Sequence, residues 1–113
     1  MAPYEIRDTI LSTLRSVRAA MASNPFLASL AAADDTTRRH AALMQLNVQH
    51  SIRQLEELEV RRIRAALVAL ESDLVGGCER LEQAASRPGE APRLLAVLGG
   101  YLSSLGRVVG HLV

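Results

Sequence analysis

Apolar residues recur at steps of three, four and four through the middle of this 113-residue chain, and that rhythm constrains the fold more than any other feature. The stripe runs through Ala41, Met44, Val48, Ile52 and Leu55, then Ile63, Leu67, Leu70, Leu74, Cys78, Leu81 and Ala85. Ala41, Ile52, Ile63, Leu74 and Ala85 are each eleven residues apart. That repeat is about 3.67 residues per turn, close to a straight α-helix. A strict heptad would wind a left-handed supercoil, so the pattern points to a rod with one apolar stripe and away from a long dimeric coiled coil. One slot is a misfit: Glu59 stands between Leu55 and Ile63, flanked by Leu58 and Val60.

The stripe predicts one long spine helix from Thr36 to Ser86. Asp34-Asp35-Thr36-Thr37 marks its start, because those side chains can accept from free first-turn N–H groups and acids suit the positive end of the helix dipole. Arg87-Pro88-Gly89 marks its end, since proline cannot continue the ladder and glycine permits a reversal. Gly76-Gly77 costs about 1 kcal/mol per glycine against alanine in a helix interior. A bend, a close helix contact or a break would each explain the pair, and the expectation is a continuous helix bent there.

Shorter helices flank the spine. Pro3 suits a first helical position, and Ile6, Ile10, Leu14, Val17 and Met21 carry a helical stripe over about Tyr4 to Ala22. Asn24-Pro25 ends that helix, because the residue before proline is pushed out of helical geometry. Phe26 to Ala33 reads as one or two helical turns closing the corner, with Phe26 as a plug. A last helix over about Pro92 to Leu112 carries Leu94, Leu98, Tyr101, Leu105, Val108 and Leu112, widened by Leu95, Leu102 and Val109. Ala96, Gly99, Ser103, Gly106 and Gly110 form a second stripe of small residues on roughly the opposite side. Small residues let another helix backbone come close, so this helix is expected to take neighbours on two sides, one of them a partner protein.

The fold class that follows is all-α: a single domain over residues 1–113, an antiparallel bundle of three main helices with a long central helix and a short corner helix. Aromatics make up only 3% of the chain and tryptophan is absent, so the core must come from Leu, Val, Ile and Ala, the composition of helix-on-helix packing.

Little in the chain points to chemistry. His40 and His50 are ten apart, not at the three- or four-residue spacing that sets two metal ligands on one helix face. His111 stands apart from both. Neither a G-x-S-x-G elbow nor a phosphate-binding glycine loop occurs. The expectation is therefore a chain that is not an enzyme, with no catalytic residue, metal, cofactor or small-molecule substrate. Cys78 falls on the apolar stripe and reads as core packing. A lone cysteine cannot form an internal disulfide and fits a reducing, intracellular compartment. The N-terminus does not carry the pattern of a signal peptide.

All 13 basic residues are arginine, and the net charge is +1, too small to steer the chain to nucleic acid or membrane. Arg61, Arg62 and Arg64, with Arg38-Arg39 upstream, are candidates for nucleic-acid contact. Yet Arg53, Glu57 and Arg61 follow at four-residue steps and Glu59 lies three before Arg62, so a self-paired solvated face is the simpler reading. Direct nucleic-acid binding is not the first expectation. Association of the last helix with a membrane is the other alternative, disfavoured by Arg107 within the apolar run.

Leu55 to Leu67 reads L-E-E-L-E-V-R-R-I-R-A-A-L. This resembles the signature of the helical domain of GINS subunits, particularly the Sld-five type, with Glu59, Arg62, Ile63, Arg64 and Leu67 as the matching positions. Asn24-Pro25-Phe26-Leu27-Ala28-Ser29-Leu30 resembles the corner after that family's first helix, and Tyr101-Leu102 with His111-Leu112 the end of its last. The chain departs from the family in lacking the tryptophan before the corner, the arginines after Leu67 and the small β domain. The resemblance implies a non-catalytic subunit of a replisome assembly, a nuclear scaffold for DNA replication. The composite expectation is a protein-interaction subunit of a hetero-oligomeric complex.

Overall fold

A straight helix from Thr36 to Ser86 would be about 75 Å long, whereas the longest dimension of the molecule is 44 Å. The spine therefore has to fold back. The computed structural model describes residues 1–109 and consists of six helices, with no strand among the described residues. They are α1 (Pro3–Met21), α2 (Asn24–Ala31), α3 (Asp35–Glu57), α4 (Val60–Ala69), α5 (Glu71–Ala85) and α6 (Ala91–Val109). The single expected spine is thus three helices, and the first correction concerns where it breaks.

The main break is at Leu58-Glu59, whose backbone is extended, with ψ of 135° and 107°. Neither residue is a helix breaker. The cause is tertiary: α1 packs against α3, α4 and α5 alike, and a continuous rod would carry α5 out of its reach. The second joint is Leu70, at φ −106° and ψ 12°. Backbone bonding is kept on both sides of it, with Leu70 N–H donating to Ala66 O at 3.0 Å and Leu74 N–H to Leu70 O at 2.9 Å.

The stripe survives both breaks. Ala41, Met44, Val48, Ile52, Leu55, Ile63, Leu67, Leu74, Cys78 and Leu81 are all buried. Leu70, at the joint, and Ala85 are half-buried, and Ala84 takes the buried place beside Ala85. Burying a Leu or Ile side chain fully contributes about 1.5–3 kcal/mol, so these positions, together with Ile6, Ile10, Leu14 and Val17 of α1, hold the fold together. Phe26, fully buried, plugs the corner as its sequence position suggests. Leu94, Leu98, Tyr101, Leu105 and Val108 form the buried face of α6, with Leu95 beside them.

The ends follow capping chemistry. Pro3 opens α1. Asp34 caps α3 by accepting from Thr37 N–H at 2.8 Å, and that hydrogen bond to Thr37 draws the Asp34 carboxyl below its ordinary range. The corner helix starts two residues before the expected Phe26. Ser23 accepts from Phe26 N–H at 3.4 Å, and Pro25 sits in the first turn, where its missing N–H costs nothing. Arg38 reaches back to the carbonyls of Leu30, Ala31 and Ala33 at the end of α2, and also meets Asp35. Cations suit that end of a helix, so Arg38 stitches the corner instead of presenting itself to a ligand.

Gly76-Gly77 does not end the helix; α5 runs through both. A Cβ at Gly77 would lie 2.5 Å from the Tyr101 ring of α6, so the glycine is there to let the two helices meet. The turn after α5 closes through Glu90 N–H and Arg87 O at 3.0 Å. No glycine among the described residues has a positive φ, so Gly89 takes part in that turn without a left-handed conformation.

Candidate functional site

The small-residue stripe of α6 faces outward. Ala96, Ser103 and Gly106 are exposed and Gly99 is half-buried, and a Cβ added at Gly99 or Gly106 meets nothing within 4 Å. Among the described residues no other helix fills the surface that Gly99 and Gly106 offer. Gly110, the last member of the stripe, lies outside the described residues, as do His111 and Leu112.

Ala96 of that stripe, with Gly100 and Ser104, also lines a cleft of about 340 Å³ together with Gly77, Arg80 and Tyr101. At its base the Tyr101 hydroxyl donates to Leu74 O at 3.1 Å and lies 3.2 Å from Cys78 Sγ. Burial, and after it the hydrogen bond with Cys78, push the phenol far above its ordinary pKa. Cys78 is buried and fills the core position its place on the stripe suggests. The expected explanation of the glycine pair is a bend; the close helix contact, another of its readings, is what Gly77 makes with the Tyr101 ring. The signal was there in the register of Gly77 on one helix and a large ring on the other.

Along α3 the outward face carries two large apolar side chains one turn apart, Leu43 at 54% exposure and Leu46 at 70%. Chains seldom leave such a pair in water without a reason, although a single exposed leucine needs none.

The residues that carry the GINS resemblance lie along α4, from its N-cap Glu59 to Leu67. Glu59 is the N-cap residue but makes no side-chain cap. Its carboxylate instead takes Arg61 Nε at 3.2 Å and Arg62 Nε at 3.5 Å. Ile63 and Leu67 are buried and Arg64 is exposed. Neither step of the expected Arg53–Glu57–Arg61 ladder is an ion pair among the described residues; the Glu57–Arg61 step is lost because the chain leaves the helix at Leu58 before Arg61 can come into register. Arg61, Arg64, Ala65, Val68 and Ala69 share the outer face of α4, with Val68 at 56% exposure.

Between α1 and α5 runs an open groove of about 700 Å³. Asp8, Glu79 and Glu82 stand along it, Thr9 and Ser12 add hydroxyls, and Val75 and Cys78 supply an apolar floor. Thr13, also in the lining, is 3% exposed and is the one buried polar side chain among the described residues. Thr9 and Ser16 on the same helix each donate back to a carbonyl four residues earlier, at 2.8 and 3.2 Å. Among the described residues no group of three His, Cys, Asp or Glu side chains is placed to hold a metal ion. Nor is any helix long and apolar enough to cross a membrane.

No protein-family model matches this chain, and no curated protein or solved structure matches it. Its function has to be argued from its own surfaces.

Proposed function

We propose that this chain is a non-enzymatic helical subunit that docks onto another protein within a hetero-oligomeric assembly. The contact surfaces are the small-residue face of α6 (Ala96, Gly99, Ser103, Gly106) and the outer face of α3. The observation that carries this reading is the pair Leu43 and Leu46, large apolar side chains left in solvent one turn apart on a helix whose other face is core. The open Cβ positions at Gly99 and Gly106 support it, since a partner helix gains close backbone contact there. In this reading α3, α4 and α5 act as a jointed spine against which α1 and α6 form the other two members of an antiparallel three-part bundle.

The GINS-type resemblance, carried mainly by Glu59, Arg62, Ile63, Arg64 and Leu67, sharpens the proposal to a replication scaffold in the nucleus. The two alternatives draw on other features. Membrane association would use the apolar α6, and an arginine-dependent nucleic-acid contact would use Arg61, Arg62 and Arg64.

The test is a tagged pull-down from the native host with identification of what is recovered, run in parallel on Leu46→Asp and Gly106→Leu. Stoichiometric partners that are lost in both variants, while the melting curve stays put, support the reading. Replication proteins among them support the narrower one. Recovery of the bait alone overturns both.

A further inference from the structure

Two surfaces of this one chain are complementary in charge. The groove between α1 and α5 is lined by Asp8, Glu79 and Glu82 and by no arginine. The outer face of α4 carries Arg61 and Arg64 and no acid. Arg64, Glu79 and Glu82 form no ion pair among the described residues, so their charges are available. The apolar parts also correspond: Val68, more than half exposed, stands one turn beyond Arg64, and the groove has Val75 and Cys78 along its floor.

We propose that the α4 face of one copy seats in the α1/α5 groove of a second copy, making this chain self-associate. Arg64 meets Glu82 and Glu79 across the interface, flanked by Arg61, which also holds Glu59, and Asp8, which also holds Arg7, and Val68 covers the groove floor. A net charge of +1 leaves little general repulsion between copies to overcome. The contact uses neither the outer face of α3 nor the small-residue face of α6, so it goes beyond the heteromeric reading and stands or falls separately.

The experiment is sedimentation equilibrium of the purified chain over a wide concentration range, at low salt and at about 1 M salt, where charges on the surface are screened within a few ångströms. The expected result is reversible association that weakens with salt. Arg61→Glu/Arg64→Glu and Glu79→Arg/Glu82→Arg should each weaken association about tenfold or more, as misplaced charge at an interface does. Mixing the two variants should restore it, because each then offers what the other lacks. The substituted residues are exposed, and matching circular-dichroism melts confirm that the variants fold. A wild-type chain that stays monomeric at low salt overturns the proposal, as does association that neither variant affects or that their mixture fails to recover. Monomeric behaviour leaves the heteromeric reading intact, and a pull-down that returns only the bait leaves this one intact.

Discussion

Alanine at Gly76 and alanine at Gly77 should change stability in opposite directions, although the positions are adjacent in one helix. Both replacements gain helix propensity, about 1 kcal/mol each against glycine in a helix interior. At Gly76 the nearest atom to the new Cβ is Arg80 Nη1 at 4.0 Å, ordinary contact, so most of that gain is kept. At Gly77 the Cβ would lie 2.5 and 2.6 Å from Cδ1 and Cε1 of Tyr101. The ring has little freedom to yield, since Tyr101 is 5% exposed and its hydroxyl is tied to Leu74 O. Forcing a methyl into a filled core typically costs about 1–3 kcal/mol. With the propensity gain set against the upper part of that range, Gly77→Ala should lose about 1–2 kcal/mol and Gly76→Ala should gain up to about 1 kcal/mol. For a domain of this size, that is about 4–8 °C down and up to about 4 °C up in Tm. Thermal melts followed by circular dichroism read both, and a third measurement isolates the cause. In a Tyr101→Leu background the ring is gone, and Gly77→Ala should become neutral or stabilising. A Gly77→Ala protein that melts as high as Gly76→Ala refutes the reasoning, and so does a loss that persists without the ring.

Tyr101 also predicts an alkaline limit. Its pKa is raised on folding, so its contribution is fully present below the ordinary tyrosine value of about 10 and is lost as pH rises beyond it, by up to about 1.4 kcal/mol per pH unit. Urea titrations at rising pH should show this loss in the wild type and not in Tyr101→Phe, which should in turn be about 1 kcal/mol less stable at neutral pH for want of the bond to Leu74 O. Asp34 sets the acid side: its pKa is lowered, so its support for α3 is present above about 4 and lost as pH falls through the lowered value. Asp34→Ala should lower Tm at neutral pH and flatten the melting profile in acid, and an unchanged Tm would deny the cap its role. Leu46→Asp should leave Tm within a degree or two, because Leu46 is 70% exposed; a large fall would mean that its side chain belongs to the fold.

Which residues are buried was legible in the sequence, and where the helices turn was not. The stripe from Ala41 to Leu81 is the core face because the apolar period depends only on local geometry, and α3, α4 and α5 each keep that geometry. The break at Leu58-Glu59 depends on where α1 sits, a long-range fact that no local signal carries except one. Glu59, the misfit in the stripe, is where the helix restarts, and an acid in a core slot is a reason for the chain to leave the core there. Gly76-Gly77 was ambiguous for the opposite reason. Glycine marks both breaks and close approaches, and only the position of the Tyr101 ring decides between them. Of the candidate surface, the α6 stripe could be found from spacing alone. The α1/α5 groove could not, because its acids come from segments some seventy residues apart.

The packing of α1 has a consequence for how the chain is made. Its apolar face, Ile6, Ile10, Leu14 and Val17, is covered by α3, α4 and α5 together. When α1 leaves the ribosome, none of those helices exists. At ordinary rates of synthesis α5 follows only after a delay on the order of seconds, during which α1 carries an uncovered hydrophobic stripe through a crowded compartment. A nascent chain stopped before Glu71 has α1 and part of its cover but not the helix that closes the far side. Such a chain should aggregate and be degraded more readily than one that has made α5, through the uncovered face of α1.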